Sequence, residues 1–559
     1  MSVTDGSVRC FRIWNRLTVL FFSLATILWH ETTILAEDLL APETEIATAI
    51  NHYITAHVAK NGATLVSLAD ETTLLRRTML DLAGRIPYAA EREWFFSLPP
   101  ADRRRILVDR LMHSPDFDFH HRNWLDETLL PNQPYEDEFR NYLLTAVQGR
   151  RSWDTIFREL MKAGAADGPE KGAAQFLKSR VRELDDLTND TAILFFGVNI
   201  SCAKCHDHPL VTDWKQDHFY GMQAFFLRTY QTRKVSALAE RPFGEVKFTT
   251  TSGEEKKAAF MFLTGDQVAD RTPEFPVEER KSLEERIRKL EQEDVEAEIL
   301  VPEFRPRDEL VEVALRDTKD RFFAKNVVNR VWARLLGTGL VDPLDQMHSG
   351  NPPSHPELLD WLANDLVSHG YDLRRLIQGI ALSEVYARSS EWVQPSEQPA
   401  SSLFAVAKTR PLTPRQLAAS LYVATINPQQ WPAIDATDEW IKRRTELENQ
   451  ANGWVREFEQ PGDNFQVAVD EALFFSNSQR IQNDMLRDSD DRLLGSLKKN
   501  EDQNQAIELL WLTVLGRAPQ ADEIASANNW LDRNPEKKNE ARAQLLWALL
   551  AGPEFRFNH

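Results

Sequence analysis

Cys202-Ala203-Lys204-Cys205-His206 sets two thiols three residues apart, with an imidazole directly after the second. That order suits covalent attachment of a c-type haem: each thiol adds to a vinyl group of the porphyrin, and the histidine turns to the iron as proximal ligand. The chain has 3 cysteines, and the third, Cys10, lies in an N-terminal segment read below as a signal. Two other chemistries use the same residues. Cys202, Cys205, His208 and His218 offer two sulfurs and two nitrogens, a set suited to tetrahedral zinc, although the two histidines are spaced more widely than in a zinc finger. A disulfide between Cys202 and Cys205 is the third; its short loop gives little entropic stabilisation.

If iron sits on His206, the sixth ligand comes from elsewhere. His218 and Met222 are four residues apart, hence on one face of a helix. Met347 and His348 are more distant options. The metal-ligating candidates are therefore His206, His208, His218 and Met222. Asp342, Asp345, His348, His355 and Asp360 form a second cluster with acid–base or metal-binding potential; the simpler reading gives Asp342-Pro343 to a turn and Ser354 to Glu357 to a helix cap. Arg76 or Arg77 reaches Asp81 at helical spacing, as a structural ion pair. His120 and His121 point about 100° apart on a helix, so only one serves any one site. There is no phosphate-binding glycine loop, dinucleotide fingerprint or Gly-x-Ser-x-Gly elbow in the sequence.

The elements that must position these groups read as mainly α-helical, in several domains. Ile46, Ile50, Tyr53 and Ile54 mark one helix face, and Leu74, Leu75, Met79 and Leu82 another, which Gly84 and Pro87 stop. Leu184 to Ile200 turns strongly apolar and leads into the cysteine motif. Asp213-x-x-Gln216 is read as the start of the next helix. A small β insertion is expected near 240–275, with Val246–Thr250 and Ala259–Leu263 as strands around a Ser252-Gly253 turn. Glu278–Leu300 is a charged helical spacer carrying Leu283, Ile287 and Leu290 on one stripe. Ser354-x-x-Glu357 and Thr413-Pro414-x-Gln416 are capping-box patterns. A final helical piece has Leu510, Leu515, Ile524, Trp530, Leu545, Leu546 and Leu549 as core.

The N-terminus reads as an export signal over residues 1–36: Arg9, Arg12 and Arg16, then an apolar run from Leu17 to Leu28, then a cleavage site after Ala36. The alternative is an uncleaved N-terminal anchor; no later segment is apolar enough to span a membrane. The formal net charge is -19 over 559 residues. Such a surface repels phosphate backbones, which argues against nucleic-acid partners and suits solubility or basic proteins.

Longer blocks carry a family likeness. Gly197 to Pro209, with Trp214 and Phe219 to Phe226, resembles the exported planctomycete cytochrome-c-like domain. Leu75-Arg76-Arg77 with Leu80-Asp81-Leu82, Gly84 and Pro87 is similar to its N-terminal signature. Asn329–Gly337, Gly339–Pro343, Asn351–Leu362 and the ending Leu546–His559 resemble the companion C-terminal domain of unknown function. The resemblance implies a cytochrome-c-like domain over 37–235, an insertion and linker over 236–304, and the companion domain over 305–559. Many relatives carry a further haem domain, whereas this sequence has no second Cys-x-x-Cys-His run. The function expected is an exported protein with one haem c, working in electron transfer or a redox reaction with a redox partner protein. The competing class is an exported non-haem enzyme or binding scaffold, with zinc or a disulfide at the same cysteines.

Overall fold

The computed structural model describes residues 39–131, 136–164, 171–208, 211–295, 298–460 and 478–559. The expected signal over residues 1–36 lies outside them. The described chain is mainly helical, with four two-stranded antiparallel sheets. No helix among the described residues is long and apolar enough to cross a membrane.

Helix α1 (Ile46–Lys60) buries Ile46, Ala49, Ile50, Tyr53, Ile54 and Val58, the face that the apolar spacing predicts. Each of the isoleucine and valine side chains contributes about 1.5–3 kcal/mol on full burial. Helix α2 (Glu71–Ala83) starts at Asp70, whose carboxylate accepts the Thr72 and Thr73 N–H groups at 2.9 and 3.0 Å. A cap of this kind is worth about 1 kcal/mol. Gly84 ends it in the left-handed region, at φ 72°. Helix α3 (Leu184–Phe196) ends the same way at Gly197. Helix α4 (Gln216–Ala224) follows the cysteine motif and starts two residues later than expected. Asp213 does not cap it; the Asp207 carboxylate accepts the Gln216 N–H at 3.0 Å instead.

The β insertion is present and larger than its sequence signal. Strands β1 (Thr229–Gln231) and β2 (Leu238–Glu240) form a hairpin ahead of it. The Ser252-Gly253 turn joins β3 (Lys247–Thr249) to β4 (Glu255–Lys257), a strand too charged to stand out. β5 (Phe260–Met261) pairs with β6 (Gln267–Val268). Helix α5 (Val277–Gln292) is the expected charged spacer, and it buries Ile287 and Leu290 against Tyr230 and Ala239 of the first hairpin.

In the C-terminal half, α6 (Phe322–Leu336) packs beside α3, and α7 (Pro356–Ser368) beside α6. Pro356 takes the first position of α7, so its cap residue is His355; Ser354 lies one place outside, and the expected Ser354–Glu357 box does not form. The Thr413–Gln416 box does form, at the head of α8 (Pro414–Thr425), after β7 (Arg410–Pro411). Trp530, expected in the core, is 41% exposed. The last strand, β8 (Phe557–Asn558), pairs with β7.

Arg76 and Arg77 do not bond Asp81. They donate to main-chain oxygens, Arg76 to Phe555 at 2.7 Å and Arg77 to Arg388 at 2.9 Å and His559 at 3.1 Å. Asp81 is bound by Tyr386, Arg410 and Asn558 from the other end of the chain. Residues Glu45–His559 accordingly make one compact unit.

Candidate functional site

The segment entering the site is fixed before the first cysteine. At Gly197 the backbone takes φ 71°, and an added Cβ would lie 2.9 Å from Asn326 Oδ1 of α6. Residues 197–199 then run antiparallel to residues 345–347. Val198 bridges Gln346, the Asn199 N–H donates to the Asp345 carbonyl at 2.9 Å, and the Met347 N–H donates to the Gly197 carbonyl at 2.9 Å. Asn199 Oδ1 accepts from the Ser201 N–H and hydroxyl at 3.2 and 2.7 Å, which starts a 3₁₀ turn at Ser201–Lys204.

That turn buries Ala203 completely and leaves Cys202, Cys205 and His206 exposed. With three residues per turn, positions 202 and 205 fall on one side. Both thiols are free. The carbonyls at the end of the turn are satisfied from α4. Gln216 donates to the Lys204 and Cys205 oxygens at 3.4 and 3.2 Å, and the Tyr220 hydroxyl donates to Lys204 at 3.0 Å. Tyr220 in turn stacks on Phe248 of β3, with ring centroids 4.3 Å apart. The Lys204 ammonium pairs with Asp185 in the first turn of α3. Asp185, Gln216, Tyr220 and Phe248 were not legible as site residues, because only the fold brings them to the motif.

The three histidines differ in the state of their rings. His206 Nδ1 lies 2.8 Å from the Asp207 carbonyl oxygen, so this nitrogen carries the proton and Nε2 keeps a lone pair. His208 Nδ1 accepts the Val211 N–H at 3.0 Å, and His218 Nδ1 accepts the Lys215 N–H at 3.1 Å. In both neutral rings the proton therefore sits on Nε2. Burial is the main effect pulling His218 below the ordinary imidazole value; Asp217 opposes it and Lys215 assists. Met222, on α4 itself, is fully buried, whereas the cysteines and His206 are exposed. Among the described residues, no group of ≥ 3 His, Cys, Asp or Glu side chains is placed to hold a metal ion.

The loop that carries Met347 and His348 does reach this region. Ser349 donates its N–H and hydroxyl to the Asp213 carboxylate at 2.8 and 2.7 Å. Burial depresses the basicity of the His348 ring, and His208 adds to that while Asp213 opposes it. Its Nε2 lies 3.2 Å from Gln346 Oε1. The wider Asp342–Asp360 cluster does not assemble into one site: Asp345 binds Asn199, Asp360 pairs with Lys325, and His355 lies against His57 with the rings tilted at 47°. His120 and His121 are held as low-basicity rings by burial and Arg334.

Comparison with known proteins bears on both halves. No curated protein and no solved structure matches the chain. Residues 49–231 match the family PSCyt2, described as a protein of unknown function (DUF1549). Residues 306–531 match PSD1, described as a protein of unknown function (DUF1553). Each of the two matched stretches is thus similar to a domain of unknown function, and neither match names an activity.

Proposed function

We propose that the protein is exported and holds one haem through thioethers at Cys202 and Cys205, with His206 on the iron, and that it passes electrons to a partner protein. The observation that carries this reading is the hydrogen bond from His206 Nδ1 to the Asp207 carbonyl. A backbone acceptor at Nδ1 is the usual way a metal-ligating histidine is oriented, and it leaves Nε2 as the donor atom. The two exposed thiols on one side of a short turn suit addition across two vinyl groups. Each addition forms one S–C bond and moves the thiol hydrogen to the neighbouring carbon, so it consumes no oxidant. A haem so held supplies one-electron chemistry when bound. Gln216 and Tyr220 hold the end of the turn while its two cysteines stay exposed.

The zinc set is less well supported. His208 and His218 would each have to give up the backbone N–H bond to Nδ1, whichever ring nitrogen took the metal. The acidic chain, at net charge -19, favours an electron partner with a basic face.

The test is a spectrum of the protein purified after export from a host that attaches c-type haem. Reduced α and β bands that survive acid-acetone extraction are expected, and Cys202→Ser with Cys205→Ser should abolish them. A colourless protein holding stoichiometric zinc overturns the reading.

A further inference from the structure

A second candidate site lies beside the start of α3. A cavity of about 850 Å³ opens between the β1–β2 hairpin, the residues leading into α3 and the end of α5. Its size is that of small-molecule pockets in general. The walls join two chemistries. Val181, Leu184, Leu227 and Phe243 give apolar surface, and Arg182, Arg233 and Arg241 line it from three separate segments.

The charges in the lining do not cancel. Glu291 is paired with Arg241, and Glu245 with Lys257. Arg241 Cζ also lies over the Tyr230 ring, 5.0 Å from its centroid. Arg182 and Arg233 are exposed and have no carboxylate partner among the described residues. Arg233 is nonetheless fixed: its N–H donates to the Leu290 carbonyl at 2.8 Å, and its side chain to the Gln292 carbonyl at 2.8 Å. Two uncompensated guanidiniums beside an apolar wall are unexpected on a chain of net charge -19, where carboxylates outnumber them.

We propose that this cavity binds an amphipathic organic anion, its carboxylate or sulfate between Arg182 and Arg233 and its apolar body on Leu184, Leu227 and Phe243. Planar guanidinium forks suit the paired oxygens of such groups. The site is independent of any group at the cysteines, although Leu184, in its wall, is followed directly by Asp185, the partner of Lys204.

The test is calorimetry on the full chain with 1-anilinonaphthalene-8-sulfonate, and with N-phenyl-1-naphthylamine as the matching neutral probe. One sulfonate per chain is expected to bind, and octanoate and octyl sulfate to displace it, the better competitor telling carboxylate from sulfate. Arg182→Gln with Arg233→Gln should weaken the sulfonate at least tenfold and leave the neutral probe and the melting temperature unchanged. Leu227→Trp, which takes up part of the apolar wall's space, should weaken both probes. Equal binding of the two probes, unchanged affinity in the arginine variant, or displacement by inorganic phosphate as readily as by octyl sulfate overturns the proposal. Because binding is read without haem, its failure leaves the reading at Cys202 and Cys205 untouched, and the reverse holds.

Discussion

Asp213 accepts two hydrogen bonds from Ser349, at 2.8 Å from its N–H and 2.7 Å from its hydroxyl, across 136 positions of sequence. The pair fastens the 345–349 loop to the segment that follows the cysteine motif. The bridge at Val198 fastens the same loop to the segment that precedes it. One loop of the PSD1 match thus braces both sides of a turn in the PSCyt2 match.

Asp213→Ala should loosen that brace. Burial pushes the Asp213 carboxyl up, but the two bonds from Ser349, with His348 and His218 nearby, hold it below its ordinary value. A depressed carboxylate stabilises the fold above its unfolded pKa and loses that effect as pH falls through the folded one. The expected cost at neutral pH is about 1 kcal/mol, since the pair is partly solvated. Amide exchange at Ser349 should quicken, and the deficit against wild type should shrink below about pH 4. Unaltered exchange at Ser349 in the variant would sink the idea.

Asp81 joins the two ends of the molecule, and removing it should be far more costly. It accepts from Tyr386 and Arg410 at 2.8 Å each and from Asn558 at 2.9 Å. Asp81→Ala leaves Arg410 without its counter-charge, an effect on the order of 3–5 kcal/mol. Asn558→Ala removes one buried bond, about 1–3 kcal/mol. Urea midpoints measure both. The same contacts predict that residues 39–304 and 305–559 stay unfolded when made separately; a cooperative melt of either half alone would refute this.

Local chemistry was readable from the sequence, and long-range closure was not. The α1 face, the stop at Gly84, and the Thr413 box follow from spacing and from residue types that need no partner. Asp213 looked like a helix cap because Gln216 stands three residues on, but Ser349 offers it two donors and takes it away. Arg77 looked like a partner for Asp81 at one turn's distance; the arrival of the chain's last residues gave each a different partner. The cysteines and His206 could be named from their order alone. That His206 alone of three neighbouring histidines leaves Nε2 for a ligand depends on which backbone group meets Nδ1, and sequence does not carry that.

Gly197→Ala separates backbone strain from collision. The residue sits at φ 71°, where a side chain costs about 1–2 kcal/mol. The new methyl would also stand 2.9 Å from Asn326 Oδ1. Asn326 has little freedom to yield, because its amide donates to the Leu194 carbonyl at 2.7 Å and its oxygen accepts from Arg330 at 3.1 Å. Gly62→Ala is the control: its φ is 65° and nothing lies within 4 Å of the added carbon. Gly197→Ala should therefore lower the melting temperature clearly more than Gly62→Ala. Equal losses would mean that Asn326 moves aside freely.

His355 should make stability depend on pH in a defined window. It is 2% exposed, its ring centroid lies 4.1 Å from that of His57 and 5.6 Å from that of Phe404, and Nδ1 is 3.1 Å from Ser354 Oγ. Burial first, and His57 second, bring its pKa down to about 3. In the unfolded chain the ring titrates near about 6.5. Between these values the unfolded state binds a proton that the folded state refuses, so stability falls as pH drops from about 6.5 toward about 3. His355→Phe keeps the volume and removes the proton site. Its stability should fall less steeply than wild type through that window, and the two curves should run parallel above about pH 7. His120 and His121 are also neutral in the folded state, but they add the same slope to both proteins and cancel in the difference. Denaturant midpoints taken every half pH unit are enough to decide: if the difference between the proteins does not change from pH 6.5 to 3.5, the His355 ring is not carrying the effect.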